Sequence, residues 1–345
     1  MSLLPAQIAD LATLEQLLSE PTPAVVETLR QFPGDVVVLG AGGKMGPGFT
    51  RMLHRAARHS QPPRRIFAVS RFSNAVIADS LRREGIEVIS CDLLDRTSVE
   101  KLPEAAIVFY LVGTKFGTTG NEPHTWAVNA YLPGLVAEHY RQARIVAFST
   151  GNVYGTVPVV SGGSCETDEL RPDGEYAATC IGRERILEFF SRRLRVPVTI
   201  LRLNYAHELR YGVLVDIARA VYHEEPIPLA TACFNALWQG DANAWAIQAL
   251  RYASTPPFVL NLAGPETVSV RWAAEQFARC FGKTPRFTGS EASDAYLSNA
   301  ASAHRLFGYP RVPVGLLIEW IADWLQRGGE VWDKPTHFHV RSGQF

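Results

Sequence analysis

Three glycines at regular spacing form the stretch of the chain with the clearest chemical meaning. Gly40, Gly43 and Gly46 stand three residues apart, directly after the β-branched run 36–39 and before apolar residues at helical spacing over 49–56. The pattern predicts a strand, a tight turn and a helix. An ordinary strand-to-helix turn could carry these glycines too. The N–H groups and dipole at a helix N-terminus nevertheless favour an anion, so we expect the turn to bind a pyrophosphate.

The elements around this turn predict the fold class. Further apolar runs stand at 65–70, 86–90, 106–112 and 144–149, with helical patterns between them, and 196–202 adds a sixth run. Strands that alternate with helices are typical of an α/β fold whose parallel sheet is doubly wound, with helices on both faces.

Composition limits the partners. Among 345 residues, 34 Lys and Arg balance 34 Asp and Glu, so we expect no nucleic acid or membrane surface, but a small molecule. The five cysteines show no CxxC spacing, which argues against disulfides and zinc. The N-terminus lacks a signal pattern and no apolar run reaches a membrane span, so the sequence predicts a cytoplasmic protein.

Several further segments carry a resemblance to a known family. They are Cys91-Asp92-Leu93, the run 148–155 that ends in Val-Tyr-Gly, Arg202-Leu203-Asn204 and the run 261–270. With the glycine turn, the chain resembles the extended short-chain dehydrogenase/reductases, specifically their sugar epimerase/dehydratase branch, over residues 34–327. The resemblance implies a Rossmann-type sheet with a smaller C-terminal substrate-capping lobe, and hydride transfer between a sugar carbon and a nicotinamide.

The resemblance also implies the catalytic residues. By position in the motifs, Thr150 supplies the hydroxyl that binds the substrate oxygen and Tyr176 is the acid/base, with Ser149 as a neighbouring candidate. A tyrosine with its usual pKa near 10 needs a nearby cation to act close to neutral pH.

The chain departs from the family where that cation should stand. The family's Tyr-x-x-x-Lys reads Tyr176-Ala177-Ala178-Thr179-Cys180 here, so the lysine is missing. Lys115, after the fourth strand, could substitute for it. Alternatively, the bound nicotinamide cation could lower the tyrosine pKa, or the protein could bind dinucleotide without turnover. Cys180 is then either a nucleophile or a small side chain packed by the cofactor.

The end of the second strand bears on the choice of cofactor. NAD-binding proteins usually place an acid there, whereas this chain has Ser70-Arg71, and an arginine can accept a 2′-phosphate. Arg71 could equally be a surface residue, but the sequence favours NADP over NAD. The predicted cofactor-binding residues are Gly40, Ala41, Gly42, Gly43, Lys44, Met45, Gly46, Ser70, Arg71, Asp92, Leu93, Val112, Gly113, Tyr176 and Cys180.

The substrate residues follow from where the family's capping lobe meets the sugar. They are the polar and aromatic side chains Asn152, Asn204, His207, Arg210, Trp238 and Gln239. His337 and His339 have a spacing seen in metal sites, but with no third ligand nearby we predict a mobile tail and no metal.

These observations predict three regions. Residues 1–33 form a helical extension for packing or oligomerisation, 34–205 the dinucleotide-binding domain, and 206–345 mainly the capping lobe, with 240–265 returning to the sheet. The function expected is an NAD(P)-dependent epimerase/dehydratase acting on a sugar, sugar acid or nucleotide-sugar, in a homodimer as in relatives. The alternatives are an NADP-dependent reductase or dehydrogenase of a small carbonyl or hydroxyl substrate, and a non-catalytic NAD(P)-binding sensor or scaffold.

Overall fold

A seven-stranded parallel sheet forms the centre of the protein. The computed structural model describes residues 4–58, 63–341 and 343. The strands are β1 (Val36–Leu39), β2 (Ile66–Ser70), β3 (Glu87–Ser90), β4 (Ile107–Tyr110), β5 (Arg144–Thr150), β6 (Val198–Leu203) and β7 (Phe258–Leu262). Their order across the sheet is β7-β6-β5-β4-β1-β2-β3, and every neighbouring pair is parallel. The predicted doubly wound α/β fold is confirmed.

Strand β1 shows why its sequence is apolar throughout. Val36 and Val38 join the core on one face of the sheet, whereas Val37 and Leu39 join the core on the other. Successive side chains of a strand point to opposite faces, so a strand buried on both faces needs an uninterrupted apolar run. Pairing with β2 on one side and β4 on the other puts β1 where the chain order reverses, the place where such sheets bind ligands.

Thirteen α-helices surround the sheet or build the lobe in the described part of the chain. They are α1 (Leu11–Leu18), α2 (Pro23–Gln31), α3 (Gly46–Ala57), α4 (Ala75–Arg83), α5 (Arg96–Val99), α6 (Glu122–Trp126), α7 (Leu132–His139), α8 (Gly174–Leu194), α9 (Val213–Tyr222), α10 (Gln239–Gln248), α11 (Val270–Phe281), α12 (Ala301–Phe307) and α13 (Val314–Gln326). Helices α2, α3 and α10 cover one face of the sheet, and α7 and α8 the other.

A π-helical turn, Ala127–Tyr131, separates α6 from α7. The sequence pattern after β4 predicts one continuous helix over 126–142 instead. Pro133 explains the interruption, because it has no N–H to donate to the carbonyl of Asn129 four residues earlier. That carbonyl instead accepts a hydrogen bond from Arg183 Nε at 3.3 Å, which draws a side chain of α8 towards the turn.

The N-terminal extension links the sheet layer to the lobe. Leu14 and Leu18 of α1 are buried in the core of the lobe. On the same helix, Glu15 pairs with Arg51 of α3 at 2.6 Å and with Arg210 of the lobe at 2.7 Å. The extension therefore packs against both parts of the chain; its first three residues lie outside the described ranges.

The capping lobe contains helices α9, α11 and α13 around a second apolar core. Between α9 and α11 the chain returns to the sheet edge as β7, parallel to β6. None of the helices described is both long and apolar enough to cross a membrane.

The segment after α13 lies across the lobe, and the prediction of a mobile tail was wrong. Thr336 donates both its N–H and its hydroxyl to Asp216, at 2.8 and 2.6 Å, and Thr231 donates to the carbonyl of Phe338 at 2.9 Å. His337 and His339 lie in this docked segment outside any strand. Within the described ranges, no group of three or more His, Cys, Asp and Glu side chains could hold a metal ion.

Candidate active site

The glycine turn lies at the carboxyl end of β1. Gly40 has φ +88°, and a Cβ there would lie 3.0 Å from the backbone of Leu111. A Cβ on Gly46 would overlap the carbonyl of Ala41. Hydrogen bonds from Gly43 N to Gly40 O (3.0 Å) and from Gly46 N to Gly43 O (3.2 Å) close the turn. The bare backbone thus leads directly into the N-terminus of α3, an arrangement that suits a phosphate.

Two adjoining cavities lie on either side of this turn. The larger, of about 450 Å³, extends towards the lobe, and the smaller, of about 240 Å³, lies over β2 and β3. They share the backbone of Gly40 and Gly43 and the segment 111–113. A glycine cradle between two cavities fits a dinucleotide, a ligand with two ends joined by a pyrophosphate.

Most residues predicted from the sequence line one of these cavities. Around the larger are Lys44, Met45, Gly46, Lys115, Ser149, Thr150, Asn152, Tyr176, Asn204, His207 and Gln239. Around the smaller are Gly42, Ser70, Arg71, Asp92 and Leu93, and Val112 and Gly113 border both. The topology therefore collects residues from distant parts of the sequence at one edge of the sheet.

Tyr176, in the first turn of α8, meets Thr150 at the end of β5. Its phenol hydrogen-bonds with the hydroxyl of Thr150 and with the thiol of Cys180, one helical turn further on. The Thr150 hydroxyl is itself fixed by Asn152, donating to Oδ1 at 3.0 Å and accepting from N at 3.2 Å. A phenol and a hydroxyl held together beside the glycine turn can exchange a proton with a substrate oxygen.

Burial raises the pKa of Tyr176 above its usual range, and the neighbouring Cys180 raises it further. The charge of Arg183 and the hydrogen bond between the phenol and Thr150 act in the opposite direction. The pKa of the Cys180 thiol is also raised by burial, so this thiol is protonated at neutral pH. Cys180 packs with Val153 and Tyr154 instead of lining either cavity.

Arg183 is the site residue that the sequence reasoning missed. It lies seven residues after Tyr176 on the same face of α8, is 4% exposed and lines the larger cavity. Its guanidinium donates to the carbonyl of Phe148 at 2.8 Å and to Asn129 Oδ1 at 2.9 Å. The signal was present in the sequence, because residues seven apart lie on one helical face just as residues four apart do.

Asn129 holds the loop that carries Lys115. Its Oδ1 accepts from Thr114 N and its Nδ2 donates to Thr114 O, both at 2.9 Å. The ammonium of Lys115 lies 5.7 Å from the ring centroid of Tyr176 and 5.6 Å from that of Phe116. Burial lowers the pKa of Lys115 to about 8, and the nearby Cys180 opposes this shift.

Ser149 belongs to a buried network below the cavity. Its hydroxyl donates at 2.6 Å to Glu184, which pairs with Arg202 at 2.7 Å. Arg202 also donates to the hydroxyl of Tyr154 at 2.7 Å. This network links β5, β6 and α8, so it fixes the strand end and the helix that carry Thr150 and Tyr176.

Two residues predicted to bind substrate and two predicted to bind cofactor, Cys180 being one of the latter, lie elsewhere. The guanidinium of Arg210 is bound by the buried carboxylate of Glu208, two residues earlier, at 2.9 Å, and by Glu15 at 2.7 Å. Trp238 packs against Trp320 in the core of the lobe, with ring centroids 5.6 Å apart. Ala41 is buried in the sheet core and lines neither cavity.

The chain matches the model of the NAD dependent epimerase/dehydratase family over residues 36–228 and belongs to that family. Its members are NAD-dependent enzymes, and this chain is one of them. No curated protein matches the sequence.

Solved structures of the same fold cover most of the chain. The UDP-glucuronic acid 4-epimerase of Bacillus cereus, in complex with UDP-glucuronic acid and NAD, is 16% identical, with a TM-score of 0.69 over 85% of this chain and 99% of its own. The UDP-glucose 4-epimerase of Thermotoga maritima is 16% identical, with a TM-score of 0.70 and the same coverage. The dTDP-glucose 4,6-dehydratase of Bacillus anthracis is 15% identical, with a TM-score of 0.71 over 85% of this chain and 96% of its own.

Proposed function

We propose that this protein is an NAD(P)-dependent epimerase/dehydratase that acts on a sugar, sugar acid or nucleotide-sugar, with Tyr176 as the acid/base. The observation that carries the proposal is the contact between the Tyr176 phenol and the Thr150 hydroxyl in the cavity that adjoins the glycine turn. A protein that only bound a dinucleotide would have little use for both groups. The solved relatives of this fold, two of which are 4-epimerases of UDP-sugars, support the same class of substrate.

In this proposal, different residues bind the cofactor, orient the substrate and transfer the proton. Bound nicotinamide would accept and return a hydride, and in its oxidised form it brings a positive charge that favours a phenolate. The glycine turn would hold the pyrophosphate, and residues of the smaller cavity such as Asp92 would hold the adenosine end. Thr150 orients the substrate hydroxyl, and Tyr176 takes up its proton and later returns it.

In this proposal, two cations near Tyr176, Arg183 and Lys115, replace the missing lysine. Arg183, on the same helix, lowers the pKa of the phenol. Lys115 lies over the tyrosine ring and would add a second positive charge beside the substrate. The charge of the oxidised nicotinamide would lower the pKa of the phenol further.

Arg71 would select the cofactor. It is exposed beside the smaller cavity, at the end of β2, where it can reach a 2′-phosphate without first being desolvated. Titration of the wild type and of Arg71→Ala with NAD and NADP tests this assignment. A loss of NADP affinity with unchanged NAD affinity supports it, and equal affinities in both proteins contradict it.

A homodimer would form through the helices on the Tyr176 side of the sheet. Trp126, Tyr131 and Phe189 are 44, 55 and 50% exposed on α6, the π-helical turn and α8. Exposed aromatic side chains on adjacent elements are typical of an interface. The division into a dinucleotide-binding domain over 34–205 and a capping lobe over 206–345 is part of the same proposal.

Replacement of Tyr176 by phenylalanine tests the function. The wild type, loaded with NAD, is screened against UDP-glucose, UDP-glucuronic acid and dTDP-glucose, with product chromatography and the absorbance of reduced nicotinamide as readouts. Tyr176→Phe should lower turnover by about a hundredfold or more. Tyr309→Phe removes a hydroxyl from a 73% exposed tyrosine and should change nothing.

Unchanged turnover in Tyr176→Phe would remove this residue from the mechanism. Net production of reduced cofactor would favour the dehydrogenase alternative. Tight dinucleotide binding with no turnover of any sugar would favour a sensor or scaffold.

A further inference from the structure

The larger cavity has an unbalanced charge. Lys44, Lys115 and Arg183 line it, and none of its described lining residues is an Asp or a Glu. The chain contains only five lysines. Two of them line this cavity, and the charge of a third, Lys334, also acts on Lys44 from the docked C-terminal segment. The protein as a whole has a net charge of zero, so the excess of positively charged side chains is a local property of this cavity.

Aromatic rings fix the position of Lys44. Its ammonium lies 3.3 Å from the ring centroid of Tyr211 in the lobe and 4.6 Å from that of Phe116. Within the described ranges, Lys44 has no salt-bridge partner. Although Lys44 belongs to the glycine turn, its charge is held against the lobe, on the substrate side of the cavity.

The ammonium groups of Lys44 and Lys115 both lie near the ring of Phe116. The ammonium of Lys115 lies 5.6 Å from its centroid, so the two like charges flank one side chain. Burial and the charges of Lys115 and Lys334 lower the pKa of Lys44 to about 7, and only Asp216 acts in the opposite direction. Burying the Lys44 charge near another cation is unfavourable, and an anionic group on a ligand would offset that cost.

His207 presents a hydrogen-bond acceptor that a ligand in the cavity could satisfy. Its Nδ1 donates to the carbonyl of Tyr205 at 2.7 Å, since a carbonyl can only accept, and this leaves Nε2 as an acceptor. Nε2 is buried and has no hydrogen-bond partner in the described part of the chain, while the residue lines the cavity. Burial lowers the pKa of His207 to about 4, so the ring stays neutral. A hydroxyl group on the ligand would satisfy it.

We propose that the substrate is a hydroxylated anion whose carboxylate or phosphate binds Lys44 and Lys115, next to Tyr176, and one of whose hydroxyls donates to His207. The anion is thus carried near the reacting carbon, as in a sugar acid or a sugar phosphate. This inference rests on the proposed function, because the substrate is that of the same reaction.

Calorimetric titration in saturating NAD tests the proposal with three probes: glucuronate, glucose 1-phosphate and glucose. At least one of the two anions should bind about tenfold or more tightly than glucose. If glucuronate binds more tightly, the anionic group of the substrate is a carboxylate, and if glucose 1-phosphate does, it is a phosphate. Lys44→Met should remove that advantage and leave the affinity for NAD unchanged. Lys101→Met, at an exposed lysine outside both cavities, is the matched control and should behave as the wild type.

The affinity for the anionic probes can also be measured as a function of pH and in a variant of His207. The advantage of the anion should decline from about pH 6 to about pH 9, as Lys44 loses its proton. His207→Leu should weaken the anion several-fold, because the contact with the hydroxyl is lost; an unchanged affinity contradicts that contact.

Two results would overturn the proposal. In the first, glucose binds as tightly as both anions, or none of the probes binds a protein that does bind NAD. In the second, Lys44→Met weakens NAD and spares the sugar probes, which would assign Lys44 to the cofactor pyrophosphate. An anion preference that persists in Tyr176→Phe, with no turnover in the wild type, would instead contradict only the proposed function.

Discussion

The buried guanidinium of Arg183 lies two helical turns beyond Tyr176 on α8 and lowers the pKa of its phenol. Cys180, at the position of the missing lysine, lies between them and raises that pKa. Arg183 lies about one turn beyond Cys180 and donates hydrogen bonds to Phe148 O and Asn129 Oδ1. In the proposed mechanism, Arg183 would partly replace a lysine at the usual position.

The charge of Arg183 should be visible in the pH profile of turnover. In Arg183→Met the acidic limb of the profile should move up by about one pH unit, because the phenolate has lost a stabilising charge. Arg183→Lys keeps the charge and should restore most of the profile. A profile that is identical in Arg183→Met and the wild type, with both variants folded by circular dichroism, would show that the cation does not act on Tyr176.

Cys180 should be unreactive in the folded protein. The thiolate is the reactive form, and burial both raises the pKa of Cys180 and excludes reagents. An alkylating reagent should modify the exposed Cys280 first, and Cys180 only after unfolding in urea, as followed by peptide mass spectrometry. Equal rates at the two thiols in the native protein would revive the nucleophile hypothesis.

The buried pair of Glu184 and Arg202 should stabilise the site strongly. Both side chains are 6% exposed, so Glu184→Gln leaves an uncompensated buried charge and should lower the free energy of unfolding by about 3–5 kcal/mol. On the same helix, Glu188 pairs with Arg192 at 2.9 Å with the two side chains 34 and 59% exposed. Glu188→Gln should cost less than about 1 kcal/mol. Equal costs in urea unfolding would contradict this assignment.

Burial of neutral His207 should make stability depend on pH. The unfolded chain gains a proton as the pH falls through 6.5, whereas folded His207 gains one only near pH 4. Stability is therefore lost across this window as the pH falls, by an amount of the order of 3 kcal/mol. Asp241, whose pKa burial raises to about 6, acts in the opposite sense. The free energy of unfolding of the wild type minus that of His207→Gln, measured across this pH range, gives the contribution of the histidine. A difference that does not change with pH would contradict the burial of His207 as a neutral ring.

Local patterns made the sheet and the glycine turn predictable. The run 36–39 is apolar because both faces of β1 are buried, and Gly40 and Gly46 are required by a positive φ and by close backbone contact. Lys115 could be placed because it follows β4, and the carboxyl ends of parallel strands share one edge of the sheet. These inferences use only residues close together in the sequence and the rule that parallel strands end at one edge of the sheet.

The remaining features depend on contacts between distant segments. The π-helical turn arises where Pro133 frees a carbonyl for Arg183, more than fifty residues away. Arg210 is withdrawn from the cavity partly by Glu15, which lies 195 residues earlier. Neither partnership has a periodic signature, so the sequence alone suggested a helix in one case and a substrate ligand in the other.

The most direct test of the account is calorimetric titration of the protein with NAD, comparing wild type with two glycine variants. A Cβ at Gly43 would meet only Gly40 O at 3.2 Å, so Gly43→Ala should fold yet place a methyl group on the surface that receives the pyrophosphate. Gly315→Ala in α13 adds a methyl group in open space. We predict that wild type and Gly315→Ala bind NAD alike and that Gly43→Ala binds about tenfold or more weakly. No binding by the wild type, or equal binding by all three proteins, would contradict a dinucleotide site at the glycine turn.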